Sequence, residues 1–154
     1  MKLESPSFAN NSPMPAKYTC DGERISPPLN FLEVPPGTKT LALIMEDPDV
    51  PKNFRPDGIF DHWLIWNIPA KTRGLQEAQQ SVGIVGQNTR GTLDYVPPCP
   101  PDRMHRYVFT LFALDSSLQL EHTSGKNDLL EAVAGHTIEY AQLIGTYDRK
   151  SNLT

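Results

Sequence analysis

The chain has 154 residues, 38% of them hydrophobic, with 18 Asp+Glu against 14 Lys+Arg and a formal net charge of −4. This length and apolar content fit one globular domain over residues 1–154 with its own core. The acidic balance, with no Lys/Arg run, argues against a nucleic-acid partner, and the longest apolar run, Leu41 to Met45, is far short of the ~18 residues of a membrane span.

The start Met1-Lys2-Leu3-Glu4-Ser5-Pro6 carries no apolar leader, so a soluble, cytoplasmic protein is expected. Fifteen prolines argue against a helical bundle, because proline removes a backbone donor and clashes inside helices. Strands joined by proline-rich loops are predicted instead. Residues 5–38 hold seven of the prolines and read as short strand pieces and turns, with Phe8 and Tyr18 as anchors.

The body begins at Thr40 to Glu46, apolar on both parities and thus a strand buried on both faces. Asp47-Pro48 ends it. The stretch from Asp47 to Asp61, with Pro48, Pro51, Pro56 and Gly58, is long for a structureless connection and is read as functional. Trp63 to Ile68 is the second core strand, stopped by Pro69; Trp63 and Trp66 fall on opposite faces of it. Residues 70–101 read as loop, because the run Pro97-Pro98-Cys99-Pro100-Pro101 cannot sit inside a sheet. Tyr107 to Leu114 is the third strand.

A helix follows, with Ser124 or Asn127 as N-cap, Asp128 and Glu131 near its positive end, Leu129, Leu130 and Val133 inward and Gly135 as its stop. His136 to Tyr140 reads as a further short helical piece, and Gln142 to Tyr147 as a closing strand. The expected class is mainly β with one or two short C-terminal helices.

Three titratable residues stand at strand ends: Asp47 after the first core strand, His62 before the second, His105 before the third. If these strands are neighbours, the side chains converge on one rim. An Asp with two His suits anion binding, metal ligation or acid–base chemistry, and spacing alone does not choose. A hydrolase lacks support: there is no Gly-x-Ser-x-Gly elbow and no His-Glu-x-x-His motif. Cys20 and Cys99 have no second cysteine at metal-ligand spacing. Free thiols fit a cytoplasmic protein, and a disulfide across 79 residues cannot be read from spacing. Asp49 and Arg106 read as a structural ion pair, His122 and His136 as surface residues.

The order Asp47-Pro48-Asp49-Val50-Pro51, Asp61-His62-Trp63, Gly86-Gln87-Asn88 with Gly91, Tyr95 with Pro98-Cys99-Pro100-Pro101, and His105-Arg106-Tyr107-Val108-Phe109 resembles the phosphatidylethanolamine-binding protein family. Tyr18 to Gly22, Ser26 to Leu29 and Gly145-Thr146-Tyr147 resemble its short bacterial and archaeal branch, whose members include Raf kinase inhibitor-like proteins. The resemblance implies an antiparallel β-sandwich with an anion pocket lined by Asp47, His62, Pro98, Cys99, Pro100, His105 and Tyr107. Asp47 would hydrogen-bond an imidazole whose second nitrogen donates to phosphate. It also implies a binding or regulatory protein rather than an enzyme, without cofactor or metal, that takes a small phosphorylated or carboxylated ligand. The alternatives are a protease or kinase inhibitor working through the pocket rim, and a weak hydrolase or metal-dependent enzyme using the Asp/His/His cluster. Pro97 and Arg103 both stand where the family commonly has Gly. A homodimer is expected on the ground that one small sandwich lacks room for both tryptophans.

Overall fold

In the computed structural model, which describes residues 1–79 and 82–149, the chain is mainly β and carries two sheets. The strands are β1 (Lys2–Glu4), β2 (Ser12–Pro13), β3 (Leu29–Leu32), β4 (Thr40–Asp47), β5 (Phe60–Pro69), β6 (Gly74–Leu75), β7 (Ile84–Val85), β8 (His105–Leu114) and β9 (Thr137–Tyr147). A helix, α1 (Lys126–Val133), precedes β9. The small sheet has the order β1-β3-β6, the large one β2-β9-β8-β4-β5-β7. All pairings are antiparallel except β2 with β9.

The three core strands are adjacent, with β4 between β5 and β8. Alternation along β4 divides its side chains between two apolar clusters. Leu41, Leu43 and Met45 join Ile65, Phe109 and Leu111 in the space shared with Leu3, Leu29 and Phe31 of the small sheet. Ala42 and Ile44 face the other way, under Leu129 and Val133 of α1. That is why β4 is apolar on both parities. Phe8 and Tyr18 are buried in the first cluster, as anchors of the N-terminal wrap.

Trp63 lies in the cluster between the sheets and Trp66 in the cluster beneath α1, both buried. One chain therefore encloses both rings, which removes the reason for expecting a homodimer. Gly86 makes this fit: a Cβ there would collide with the Trp66 indole. Between Trp66 and Ile68 the strand bulges at Asn67, which has φ 53° and whose amide exchanges two hydrogen bonds with the backbone of Leu118. Asn tolerates this left-handed geometry better than most residues.

Several sequence expectations change. β6 and β7 add short strands within the stretch read as loop, although the proline run does lie outside the strands. The helix is capped by Gly125, whose N–H donates to Asp128 at 3.3 Å, rather than by Ser124 or Asn127. Leu130 is exposed instead of inward, because Leu129 and Val133, with Ala132 beside them, occupy the face toward the sheet. His136–Tyr140 is not helical: Gly135, at φ 79°, turns the chain, and β9 begins at Thr137 to pair with β8 along its length. Cys20 and Cys99 form a disulfide and are not free. The loop residues 19–22 and 98–99 that carry them are already joined by the Cys20 N–H to Pro98 carbonyl bond, which brings the two Cα atoms to 5.4 Å. Disulfides persist in oxidising environments, so the free-thiol argument for a cytoplasmic location falls. No helix among the described residues is long and apolar enough to cross a membrane.

Candidate functional site

Antiparallel pairing carries the end of β4 and the starts of β5 and β8 to one edge of the large sheet, where Asp47 lies opposite Phe60 and Glu46 opposite Asp61 and Val108. The β4–β5 register runs Met45 to Trp63, then Glu46 to Asp61, leaving His62 as the extra residue of a bulge. A bulge re-aims a side chain that strict alternation would send to the other face. His62 thereby packs against Phe60, with ring centroids 4.7 Å apart, and edge-on to Tyr107 at 5.3 Å.

At this edge lies a cavity of about 350 Å³ lined by Asp47, Val50, Phe54, Phe60, His62, Arg90, Val96, Pro97, Cys99, Pro100, Pro101, His105 and Tyr107. Six of the seven sequence-predicted residues are here. Pro98 is not: it is buried behind the wall, its carbonyl taken by the Cys20 N–H. Within 97–101 only Cys99 has a backbone N–H, so the wall offers a ligand far fewer donors than a glycine-bearing loop would.

The two imidazoles are fixed differently. His62 Nδ1 lies 2.6 Å from the Val96 carbonyl, an acceptor only, so Nδ1 carries the hydrogen. Burial depresses the His62 pKa to about 4, against the opposing pull of that carbonyl and helped by the Arg90 charge. The ring is neutral at physiological pH. Its Nε2 meets no hydrogen-bond partner among the described residues and, on the cavity side, is a hydrogen-bond acceptor. The Tyr107 hydroxyl also has no hydrogen-bond partner among the described residues, and burial with the neighbouring Asp47 charge raises its pKa, so it stays protonated and can donate.

His105 is held on both sides: Nδ1 is 2.6 Å from Asp47 Oδ2 and Nε2 is 2.7 Å from Asp102 Oδ1. Asp47 supports the imidazole as expected, but the second nitrogen is taken by Asp102, so the expected donation from it to a phosphate has no free N–H. Burial raises the pKa of Asp47, opposed by His105 and the Asp49 N–H; the His105 bond lowers that of exposed Asp102. Two carboxylates thus flank the one imidazole and occupy both of its ring nitrogens. Asp49 accepts from the Arg106 backbone N–H at 2.9 Å and pairs with its guanidinium at 2.8 Å, tying the β4–β5 loop to β8 as a structural ion pair. Among the described residues no group of three His, Cys, Asp or Glu is arranged to hold a metal ion.

The profile of the phosphatidylethanolamine-binding protein family matches residues 4–148. The chain belongs to that family. A UPF0098 protein of Chlamydia pneumoniae is 49% identical, over 97% of this chain and 99% of the relative. One from Methanothermobacter thermautotrophicus is 45% identical with the same coverage. Among solved structures, a putative phosphatidylethanolamine-binding protein homologue, CT736 of Chlamydia trachomatis, superposes with a TM-score of 0.93 at 47% identity, covering 95% of each chain. E. coli YbcL, described as a new member of the mammalian family, shares the fold, with a TM-score of 0.84 at 24% identity over 95% of this chain and 96% of its own.

Within the family frame, sequence reasoning missed Asp102 and Arg90. Asp102 sits three residues before His105, a spacing with meaning only once the loop is seen to fold back. Arg90 lies in the turn Gln87–Tyr95, held by bonds from the Asn88 amide to Thr92 and Asp94. In the sequence only the Gly86-Gln87-Asn88 resemblance links that turn to the strand ends; in the fold the Thr89 N–H donates to the Asp61 carbonyl at 3.0 Å and the Asp61 N–H to Thr89 Oγ1 at 2.8 Å, which seats it there.

Proposed function

We propose that this family member binds a small phosphorylated or carboxylated molecule in the cavity at the β4/β5/β8 edge and works as a binding or regulatory protein, not as an enzyme. The observation that carries the reading is the cavity itself. Its interior is largely apolar, His62 and Tyr107 line it with polar atoms that have no partner among the described residues, and exposed Arg90 lines it with no carboxylate partner among the described residues. A mostly apolar pocket with a few oriented polar groups is what small-molecule sites look like. Hydrolysis gains no support, because His105, the best-placed base, has both ring nitrogens on carboxylates and no lining hydroxyl is activated as a nucleophile.

A regulatory role through the rim is favoured by Phe54, which lines the cavity, is 63% exposed and offers a protein target such as a protease or kinase an apolar contact. Titration with phosphoethanolamine, followed by amide shifts, tests the binding reading. Saturable shifts in Val96, Cys99, His105 and Tyr107 are expected, with a Kd in the micromolar to millimolar range, roughly 4 to 8 kcal/mol, since a small anion offers few contacts. No saturable shift in those residues, or robust phosphomonoester turnover, would overturn it.

A further inference from the structure

Residues 97–101 form one wall of the cavity, and their ties to the rest of the molecule are few. Pro97, Cys99, Pro100 and Pro101 line the cavity, and the four prolines of the run have no N–H to give. Among the described residues the one hydrogen bond made by 97–101 runs from the Cys20 N–H to the Pro98 carbonyl, at 3.0 Å. The other tie is the Cys20–Cys99 bond, so a single residue supplies both. Pro98 and Pro100 are buried, which leaves packing but no further directional bond. The two sides of this junction are unequally fixed. Loop 19–22 is anchored on its own account: Thr19 Oγ1 donates to the Ala16 carbonyl at 2.8 Å, and Asp21 accepts from the Tyr147 hydroxyl at 2.7 Å and pairs with Arg149. Ahead of the wall, Val96 exchanges two hydrogen bonds with His62, and the Tyr95 hydroxyl donates to the Tyr18 carbonyl at 2.9 Å. Only the proline run between them depends on Cys20.

We propose that the Cys20–Cys99 bond is a redox latch on the cavity wall: a dithiol reductant opens it by attack at Cys99, and opening frees residues 97–101 from loop 19–22 while the rest of the fold stays closed. Cys99 is exposed and Cys20 half-buried, and thiol–disulfide exchange takes the sulfur that a thiolate can reach. The attacking thiolate bonds to Cys99 Sγ, the electron pair of the broken S–S bond leaves on Cys20 Sγ, and that thiolate takes a proton. The reductant's second thiol then displaces Cys99 Sγ, which is protonated in turn. The protein gains two electrons and two protons, and the reductant leaves as a cyclic disulfide. Neither cysteine belongs to the two apolar clusters that hold β4, β5 and β8, so the core keeps its packing. The Cys20 N–H to Pro98 carbonyl bond, no longer held in place by the covalent link, then opens locally far more often. The latch acts on the wall whatever the cavity holds.

Amide hydrogen exchange of the whole chain, before and after dithiothreitol, with thiols counted by alkylation and mass spectrometry, tests the latch. Two thiols are expected to appear in the native protein, and exchange at the Cys20 amide should rise about tenfold or more while Val96 and the β4 amides keep their protection. Reoxidation should restore the Cys20 amide. Glutathione in place of the dithiol, quenched by alkylation, should leave its adduct on Cys99 and the alkyl group on Cys20. The double variant Cys20→Ser with Cys99→Ser should show fast exchange at residue 20 with or without dithiothreitol. A bond that opens only when denaturant is added, or a Cys20 amide as protected after reduction as before, overturns the latch. Loss of β4 protection in the reduced protein overturns it as well, since the bond would then brace the entire fold. A glutathione adduct on Cys20 overturns the assignment of the attacked sulfur. None of these readouts involves phosphoethanolamine, so a failed latch and a failed binding reading are told apart.

Discussion

His62 shows how one residue's surroundings reverse its sequence-level role. An unperturbed imidazole is half-charged near pH 6.5, but in the fold burial holds His62 neutral down to about pH 4. Between those values the unfolded chain takes a proton that the folded chain refuses. Stability due to this residue is therefore fully present above about pH 6.5 and is lost as pH falls toward 4, by about 3 kcal/mol. Melts at pH 7.5 and 4.5 check this: wild type should lose more stability than His62→Gln, and equal losses would place the proton elsewhere. Asp49 gives a second test. Arg106→Ala keeps its backbone N–H to Asp49 and loses only a half-exposed ion pair, so it should cost under ~1 kcal/mol, whereas Asp49→Ala strips all three bonds and should cost about 1–2 kcal/mol by urea unfolding. The sequence already showed Asp47, His62 and His105 as strand-end residues and Asp49 with Arg106 as a brace. It did not show that Asp102 closes the second face of His105, because that contact depends on the path of a proline-bent loop.

At the scale of elements, the disulfide and one glycine hold the architecture at opposite ends of β5. The Cys20–Cys99 bond spans 79 residues, and constraint of the unfolded chain over so long a loop corresponds to roughly 2–4 kcal/mol. Cys20→Ser with Cys99→Ser should lower the urea midpoint accordingly and loosen the cavity wall; a midpoint within error of wild type would show the bond to be dispensable. Gly86→Ala drives a methyl into the buried Trp66 ring and should cost about 1–3 kcal/mol, read from the same unfolding curve, with no loss expected at exposed Gly37 beyond that of its positive φ. Long strands such as β4 and β8 were legible because their apolar runs are continuous and bounded by Asp-Pro or Asp-Ser. The bulges at His62 and Asn67, the two-residue strands β6 and β7, and the extension of β9 back to Thr137 were not. Each is fixed by a cross-strand partner distant in sequence, and local propensity carries no trace of it.

For the whole molecule, the order β2-β9-β8-β4-β5-β7 places the best-protected backbone in β4 and its two neighbours, buried by both apolar clusters. Hydrogen exchange should be slowest in β4 and β8 and fastest within β9 at Thr137–Tyr140, all four exposed; slow exchange there in a dilute sample would point to a partner covering that edge. The same order has a consequence for the path of folding. Asn11 and Met14 donate their N–H groups to Ile144 and Thr146, and Met1 reaches Glu139 at 2.7 Å, so residues 1–14 find these places only on β9. A chain that pairs β4 with β5 early carries that wrap without its β9 contacts until β9 has joined β8. Closure of the large sheet waits on contacts between residues 1–14 and 139–146, and the disulfide between Cys20 and Cys99 can form before the sheet that frames it is whole.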